Sequence, residues 1–436
     1  MIKKSFIGMA KPQLLCEALE SALPEPEKIS ISARATFLLK MPPGQSGGKS
    51  SFSFEEGDKV ITGQKLALAP KSNEYVVSSV TGKILSIKPF EGNFGQMYTA
   101  VSIETAQKEE KEKAFKKTLA DVTLENINKY LLNSPGCSSL RLLSDSAKPI
   151  STIIISGMDK DLLVTTNQYI LKSDINAVKK GIEILKKISG IDKIIVAAPR
   201  HLMHEASGLD VTVKTVDLNY PAAFPELFMK NVLGTPLPAE KSCEDSGVCF
   251  LSCESVACLG KAFEKGEIPV EKTFTFIKKD ESKVLVSAKI GTPLSDIFQG
   301  LGVSLKDKDR IIIGGPMTGF AVYSEDYPVM PDTDAVMVQD SADVSYTSGY
   351  PCINCGECIR TCPAKVPVNM LVRLLEAELY DEAAEQYDLH SCIECGLCSY
   401  VCTARIPVFQ YIRLAKHELA CTDSGEDNTA EEKNAK

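Results

Sequence analysis

Hydrophobic and polar positions follow different patterns along this chain of 436 residues. Between residues 54 and 88, short β-rich runs are separated by glycine turns at Gly57, Gly63 and Gly82, which predicts a small all-β module. From residue 119 onward, buried apolar runs alternate with helical segments. The pattern therefore predicts a multidomain protein of mixed α/β and α+β class.

The strongest α/β signal lies between residues 151 and 199. The apolar runs STIIISG at 151–157 and KIIVAAP at 193–199 each have the length of a buried strand. Between them, residues 175–190 repeat apolar side chains with the 3.6-residue period of an amphipathic helix. This order predicts a β-α-β unit with two parallel strands.

The rest of the chain divides less sharply. A strand, strand, helix, strand order over 272–326 suggests a compact β-grasp domain, and a helical stretch over 368–387 separates two cysteine-rich segments. We expect these units: 1–103, a β module with an N-terminal extension; 104–118, a charged linker; 119–265, an α/β domain; 266–340, a β-grasp domain; 341–420, a cysteine-rich helical domain; 421–436, a polar disordered tail.

Charge and composition remove several classes of function. The net charge is −8 and the pI is about 5.4, so the chain offers no basic field for a nucleic-acid backbone. The longest apolar runs, such as 311–315, are far shorter than the roughly 20 residues that cross a bilayer. No continuous apolar run follows Lys3 and Lys4, so we expect no signal peptide and a cytoplasmic location. In that compartment, 15 cysteines favour metal ligation over disulfides.

One cysteine motif occurs twice, at an offset of forty residues. Residues 351–368 read PCINCGECIRTCPAKVPV and residues 391–408 read SCIECGLCSYVCTARIPV. Each copy has the spacing C-x2-C-x2-C-x3-C of two-cluster ferredoxins, in which the fourth cysteine of each run ligates the other cluster. The motif predicts two [4Fe–4S] clusters, one held by Cys352, Cys355, Cys358 and Cys402, the other by Cys392, Cys395, Cys398 and Cys362.

Zinc is the alternative occupant of these cysteines. Structural zinc sites use closed sets of four ligands, commonly two separated C-x2-C pairs, and the two triplet-plus-one runs do not match that spacing. Gly356 and Gly396 follow the second cysteine of each run, where a small residue lets the loop curl. Pro363 follows the first run as ferredoxins expect, whereas Thr403 stands there in the second. The iron–sulfur interpretation is the better one.

The order of the modules, over roughly residues 30–420, resembles the RnfC family, the peripheral cytoplasmic component of an ion-translocating ferredoxin:NAD⁺ oxidoreductase called the Rnf complex. The most specific parts are IGTPL at 290–294, GGPMTG at 314–319 and the paired cysteine runs. The resemblance implies a barrel-sandwich-hybrid β module, an α/β domain of the FMN- and NADH-binding type and an SLBB-like β-grasp domain. It also implies a place on the inner face of the membrane, with integral-membrane and iron–sulfur subunits and ferredoxin or another redox protein as partners.

The chain departs from that family in the region that implies a nucleotide site. Where the family has GGAGFPT, residues 133–140 read NSPGCSSL, and only Gly136 stands in for its glycines. Where the family has NGAECEPY, SGMDKDLL keeps only Asp159 and Asp161 as acids. Where the family has YPQGGEKQL, the chain has YPAAFPELF, with Ala222, Ala223 and Phe224 in place of glycines. Because a phosphate is approached closely only by glycine-rich backbone, we expect neither FMN nor NADH to bind.

Two further candidates stay open. Four cysteines, Cys243, Cys249, Cys253 and Cys258, fall within sixteen residues and either hold a metal, with Cys137 as an odd partner, or act as small buried hydrophobes. Lys71 occupies about the position of the modified lysine in biotinyl and lipoyl modules, but without their flanking residues.

Three functions therefore compete. The first is an electron-transfer subunit of an Rnf-like complex, the second a subunit with a working NADH and flavin site, and the third a biotin- or lipoate-carrying adaptor. The sequence favours the first.

Overall fold

The structure is a computed structural model that describes residues 12–41, 52–68, 75–119, 122–136, 139–145, 147–238 and 240–434. Its strands form a six-stranded sheet, two four-stranded sheets and a two-stranded hairpin. In the described residues, no helix is long and apolar enough to cross a membrane.

An all-β module occupies the N-terminal part of the chain after the first strand, β1 (Glu27–Ile29). Its strands are β2 (Arg34–Lys40), β3 (Lys59–Val60), β4 (Lys65–Ala67), β5 (Tyr75–Val77), β6 (Gly82–Glu91) and β7 (Met97–Thr105). The antiparallel order β2-β7-β6-β3 forms one sheet and β4-β5 the hairpin. Alternate side chains such as Phe37, Val101 and Ile103 fill the core between them.

The middle of the chain is a parallel α/β unit, as the sequence predicts. Its strands are β8 (Thr152–Ser156), β9 (Ile194–Pro199), β10 (Thr212–Val216) and β11 (Val248–Ser252), in the order β10-β9-β8-β11 and all parallel. The helices of this part are α1 (Ala114–Thr118), α2 (Leu124–Leu131), α3 (Thr166–Ser173), α4 (Ile175–Ser189), α5 (Met203–Ser207), α6 (Pro225–Asn231) and α7 (Cys253–Lys265). Both predicted strands and the predicted helix between them are confirmed.

The next unit is built on a hairpin, β12 (Glu271–Ile277) and β13 (Lys283–Lys289), which is followed by helix α8 (Leu294–Gly300). The strands β14 (Arg310–Ile313), β15 (Phe320–Val322) and β16 (Ala335–Gln339) complete it, with β16 parallel to β12. The predicted strand, strand, helix, strand order is confirmed. Strand β1 pairs in parallel with β13, so the N-terminal extension joins this sheet and not the all-β module that follows it.

The cysteine-rich region is helical: α9 (Glu357–Thr361), α10 (Val368–Glu376), α11 (Tyr380–Tyr387), α12 (Leu397–Val401) and α13 (Val408–Asn434). The helical stretch expected between the motifs is divided in two, because Glu378 adopts a left-handed conformation with φ 58°. Leu371, Leu389 and Ile412 pack together in the core that supports both cysteine runs.

Both charged segments contain regular structure. In residues 104–118, predicted as a charged linker, β7 extends to Thr105, and Phe115 in α1 is 1% exposed and packed edge-on against Phe263. Phe115 and the backbone hydrogen bonds of Glu110 and Glu112 with Thr62 thus anchor a segment that its charges made look solvated. The acidic tail, expected to be disordered, continues α13 to Asn434. Extending a helix that is already packed costs less than starting one.

Candidate iron–sulfur site

The two cysteine runs have the same backbone as well as the same sequence spacing. Each pair at an offset of forty residues shares the left-handed region: Asn354 and Glu394 both at φ 54°, Gly356 and Gly396 at φ 75° and 71°, and Lys365 and Arg405 at φ 65° and 56°. The short helices α9 and α12 begin directly after the two glycines. The repeat is therefore a structural one, with two loops of equal shape.

The first thiol set consists of Cys352, Cys355, Cys358 and Cys402. All four of its residues line one small cavity, together with Asn369 from α10. The pKa of Cys358 is raised to about 11, mainly by burial and to a smaller extent by the neighbouring thiols of Cys352, Cys355 and Cys402. The structure thus places the fourth cysteine of the second run beside the first three cysteines of the first run.

The second thiol set consists of Cys392, Cys395, Cys398 and Cys362. Burial raises the pKa of Cys392 to about 11 and of Cys395 to about 12, and in both cases Cys362 is among the charged neighbours that add to the increase. The two runs are therefore exchanged: each contributes its last cysteine to the neighbourhood of the other.

Both sets have the chemistry that an iron–sulfur cluster requires. Thiolates are the ligands of such clusters, and backbone N–H groups that point at sulfur stabilise their negative charge. The N–H groups of Asn354 and Glu394 each lie 3.4 Å from the sulfur of the cysteine two residues earlier, Cys352 or Cys392. The residues present therefore fit the group that the motif predicts.

A single metal ion fits less well. Among the residues that the structure describes, no group of three or more Cys, His, Asp or Glu side chains is arranged around one ion. A four-iron cluster places each thiolate on a different iron, so its ligands lie further apart than the ligands of a single zinc.

The two loops differ in what covers them. In the second loop, Cys395, Leu397 and Cys398 are 8%, 5% and 9% exposed. In the first loop, Ile353 is 59% exposed, and Tyr350 just before it is 75% exposed. One thiol set is thus enclosed by the rest of the protein, and the other lies at its surface.

Three contacts enclose the second loop. The hydroxyl of Tyr220 donates a hydrogen bond to the carbonyl oxygen of Cys395 at 2.5 Å. The Lys416 ammonium donates to the carbonyl oxygen of Cys392 at 2.7 Å. The segment 314–319 covers Gly396 so closely that a Cβ atom there would lie 2.5 Å from the carbonyl oxygen of Met317.

Comparison with known proteins gives these observations a context. The model of the 4Fe-4S dicluster domain family matches residues 346–403. The C subunit of the proton-translocating ferredoxin:NAD(+) oxidoreductase complex of Clostridium ljungdahlii is 27% identical, with 84% of this chain and 82% of the relative aligned. The resemblance to the RnfC family is confirmed.

Two further relatives are also C subunits of ion-translocating oxidoreductase complexes. The C subunit of the ion-translocating oxidoreductase complex of Methanosarcina acetivorans is 26% identical over 77% of this chain and 82% of its own length. The C subunit of the Na(+)-translocating ferredoxin:NAD(+) oxidoreductase complex of Acetobacterium woodii is 24% identical over 72% and 76%. Among solved structures, an NAD⁺-reducing [NiFe]-hydrogenase aligns with 69% of this chain and 65% of its own at a TM-score of 0.47 and 11% identity, a likeness too weak to carry an argument.

Gly136, the one glycine at the position of the family's glycine-rich loop, makes close contacts within the chain. Gly136 has φ +85°, and a Cβ atom there would lie 2.6 Å from the backbone nitrogen of Ser255. Its own N–H donates to the carbonyl oxygen of Pro331 at 2.8 Å, and the Ser252 hydroxyl donates to its carbonyl oxygen at 3.2 Å. The loop therefore lies directly on the N-terminus of α7, at the carboxyl end of β11.

A buried ion pair lies beside this loop. Lys272 is fully buried, and its ammonium contacts the carboxylates of Glu254 and Asp334, the latter at 3.2 Å. Burial lowers the pKa of Lys272, but the neighbouring carboxylates of Glu254 and Asp334 outweigh this effect, so the pKa is raised. In open α/β sheets, ligands bind outside the carboxyl ends of the strands; here an internal cation lies next to the carboxyl end of β11.

Asp159 and Asp161, the two acids at the position of the family's acidic segment, also accept hydrogen bonds from within the chain. Asp159 accepts hydrogen bonds from the backbone of Asn167 at 2.8 Å and from the side chain of Gln168 at 2.9 Å. Asp161 accepts from the backbone N–H groups of Met317 and Thr318 at 3.0 and 2.7 Å. Asp161 thus ties the α/β unit to the segment 314–319, which in turn covers the second cysteine loop.

An N-terminal segment, residues 12–22, covers the same region, and no pattern in the sequence predicts this. The Cys16 N–H donates to the carbonyl oxygen of Leu218 at 2.7 Å, and the Tyr220 N–H donates to the carbonyl oxygen of Leu14 at 2.8 Å. Cys16 is 6% exposed and packs with Tyr220 and Cys395. The segment completes the enclosure of the second loop.

An open cleft of about 1090 Å³ adjoins Cys392 on the α6 side. Charged side chains of both signs line it, among them Lys160, Lys230, Glu226 and Glu385. No glycine belongs to its described lining. The cleft thus lacks the backbone that would approach a phosphate group closely.

The four cysteines at 243–258 behave as buried hydrophobes. Cys249 lies in β11 and Cys253 begins α7, both fully buried, and burial raises the pKa of Cys249 to about 12. Cys243 and Cys258 are 6% and 4% exposed. The described residues contain no metal-ion arrangement that includes them. Cys137 and Lys71 lie outside the described residues.

Proposed function

We propose that this chain is an iron–sulfur electron-transfer subunit of a membrane-associated, Rnf-like ion-translocating oxidoreductase complex. The observation that carries the proposal is the cavity lined by three cysteines of the first run and Cys402 of the second. Such an exchange is what two adjacent clusters of the ferredoxin type require. The names of the relatives support an Rnf-type setting.

The chain's own residues would bind and position two [4Fe–4S] clusters. When bound, the clusters supply one-electron transfer. The thiols of Cys392 and Cys395 have raised pKa values of about 11 and 12, so metal binding must displace their protons. Gly356 and Gly396, both with positive φ, allow the two loops to curve, and apolar side chains of α10 and α13 pack against the loops.

The domain assignments and the location belong to the same proposal. The sheet of β2, β7, β6 and β3 with its hairpin would be the barrel-sandwich-hybrid module, and the sheet of β12 to β16 with α8 the SLBB-like domain. The chain would lie on the cytoplasmic face of the membrane. Its partners would be the integral-membrane and iron–sulfur subunits of the complex, with ferredoxin or another redox protein exchanging electrons.

The chain would perform this role without an NADH or FMN site of its own. Three features support this: Gly136 packs against α7, Lys272 lies beside the same helix, and Asp159 and Asp161 bond to the chain itself. Phe224 is 8% exposed and packs in the core that includes Tyr220. A nucleotide would have to displace buried groups that already have partners, which costs about 1–3 kcal/mol for each one left unpaired.

Iron and sulfide analysis tests the central proposal. Two four-iron clusters require about eight iron and about eight acid-labile sulfide atoms per chain. Replacing Cys243 by Ser, outside both thiol sets, should leave that content unchanged. A protein reconstituted with iron and sulfide that keeps zinc and no sulfide would contradict the proposal, and about twelve irons would indicate a third cluster.

Calorimetry with NADH tests the absence of a nucleotide site. We expect no binding tighter than millimolar to the cluster-loaded protein, and no stoichiometric FMN after purification. Micromolar NADH binding, or flavin absorbance that NADH bleaches, would instead support the alternative of a working nucleotide site. Intact mass would reveal a biotin or lipoate on Lys71.

A further inference from the structure

The second cysteine loop has two hydrogen-bond donors on the carbonyl groups of its own predicted ligands. Tyr220 donates to the carbonyl oxygen of Cys395 at 2.5 Å, and Lys416 donates to that of Cys392 at 2.7 Å. Both donors are held in place: Tyr220 is 7% exposed and its N–H is bonded to Leu14. Lys416 also pairs with Glu394 at 3.0 Å.

The first loop has weaker donors in the part of the chain that the structure describes. The residue forty positions before Lys416 is Glu376, which is exposed and carries the opposite charge. The carbonyl oxygen of Cys355, equivalent to that of Cys395, has only a long contact of 3.4 Å from the Arg360 guanidinium. The half-exposed Arg360 also pairs with Glu357. The two halves of the repeat therefore differ in the charges and dipoles around their ligands.

We propose that Tyr220 and Lys416 are positioning residues that raise the reduction potential of the cluster bound by the second thiol set. This rests on the proposed function, because it requires that both clusters bind. Adding an electron makes a cluster more negative, and surrounding charges and hydrogen bonds set how favourable that is. A hydrogen-bond donor partly offsets the negative end of the ligand's carbonyl dipole, and an ammonium adds a positive charge. Both make the electrostatic potential at the cluster less negative.

The sign of the effect follows from the two donors. Removing the Tyr220 hydroxyl leaves a buried carbonyl dipole without a partner and disfavours the reduced form. Removing the Lys416 charge has a larger effect of the same sign, because charges act over longer distances than hydrogen bonds. Glu394 keeps a second basic neighbour, Arg413, at 3.8 Å, so its own charge stays partly balanced after the change.

A redox titration of the full-length, cluster-loaded protein, followed by electron paramagnetic resonance, tests the proposal. The variants are Tyr220→Phe, Lys416→Met and Lys416→Gln, the last of which keeps a donor without the charge. At a fixed ambient potential we expect the ratio of reduced to oxidised second cluster to fall about threefold in Tyr220→Phe. In Lys416→Met it should fall about tenfold, a shift of about 59 mV for a one-electron couple. Lys416→Gln should lie between wild type and Lys416→Met.

Controls separate tuning from a structural role. Tyr169→Phe removes a hydroxyl in the α/β unit, away from the cysteine loops, and should change neither potential. Glu376→Gln should leave the second cluster unchanged. Cys355→Ser alters a ligand of the first thiol set only, and so assigns the two signals. A residue that merely held the loop would lower iron content without moving the potential of the clusters that remain.

The outcomes are distinct. A wild-type chain without about eight irons contradicts the proposed function itself. About eight bound irons with a second-cluster potential that stays unchanged, or rises, in Tyr220→Phe and in either Lys416 variant overturns the tuning role alone. If Lys416→Met loses iron, the second-cluster potentials of Lys416→Gln and Tyr220→Phe test the tuning role instead.

Discussion

The two cysteine loops of this chain are alike in backbone and unlike in surroundings. Their left-handed residues recur at an offset of forty, yet Ile353 is 59% exposed where its counterpart Ile393 is partly buried, and Cys395 is 8% exposed where its counterpart Cys355 is only partly buried. Tyr220 and the segment 314–319 both contact the second loop. The repeated motif therefore determines the backbone shape that positions the cysteine ligands. The contacts with neighbouring units determine which of the two thiol sets is exposed to solvent.

The exchange of the fourth cysteines offers the largest test of this comparison. Cys362→Ser should damage the second cluster, although Cys362 belongs to the first run, because its thiol lies beside Cys392 and Cys395. We expect the loss of about one iron per chain and a paramagnetic oxidised signal from the three-iron remnant. Cys402→Ser should do the same to the first cluster.

Iron analysis and electron paramagnetic resonance check this prediction. Cys421→Ser, outside both thiol sets, serves as the control and should retain about eight irons. If Cys362→Ser left the second cluster intact and damaged the first, the exchange between runs would be refuted.

Exposure should also separate the rates at which the clusters are lost. An iron chelator reaches the first loop directly. In the second loop only Cys392 borders the open cleft, and Cys395 and Cys398 are buried, so removal of that cluster waits until the surrounding contacts open. A local opening cost of about 1.4 kcal/mol already makes the loss about tenfold slower. We therefore expect biphasic bleaching in which the first cluster is lost at least about tenfold faster. Truncation of residues 1–22 should accelerate the slow phase, whereas loss of both clusters at one rate would argue against the difference in enclosure.

The paired glycines give a smaller, matched comparison. Both have positive φ, so alanine at either position incurs about 1–2 kcal/mol of backbone strain. At Gly396 the new Cβ would also lie 2.5 Å from the Met317 carbonyl oxygen, whereas at Gly356 it meets only the flexible end of Arg360 at 3.7 Å. The added overlap costs about 1–3 kcal/mol more.

We expect Gly396→Ala to lower the urea midpoint for loss of cluster absorbance clearly more than Gly356→Ala. Equal midpoints would mean that the segment 314–319 moves away from the second loop at little cost.

The sequence predicts the thiol sets because ligand spacing is a local property. Three cysteines within seven residues, twice, limit which thiols can meet, and Cys402 lines the same cavity as the first three cysteines of the first run. The parallel strands β8 and β9 were also predictable, because continuous apolar runs bounded by glycine or proline mark buried strands.

The enclosure of the second loop could not be predicted in the same way. Tyr220 and Cys395 are 175 residues apart, and nothing in the spacing of either indicates the other. The segment 12–22 has no periodic pattern, yet Leu14 and Cys16 pair with the chain around Leu218. Phe115 was hidden among lysines and glutamates, so composition marked its segment as a linker. Such contacts depend on tertiary packing, which a single sequence does not encode locally.

The smallest expected effect concerns an ion pair on α9, the short helix of the first loop. Arg360 pairs with Glu357 three residues earlier, and its side chain is 53% exposed. Exposed pairs of this kind contribute at most about 0.5 kcal/mol, because water screens the charges and two long side chains lose freedom. Arg360→Ala should therefore leave the urea midpoint of cluster loss nearly unchanged, and raising the salt concentration should have equally little effect. A decrease as large as that of Gly396→Ala would show that the first loop depends on a contact of Arg360 beyond this surface pair.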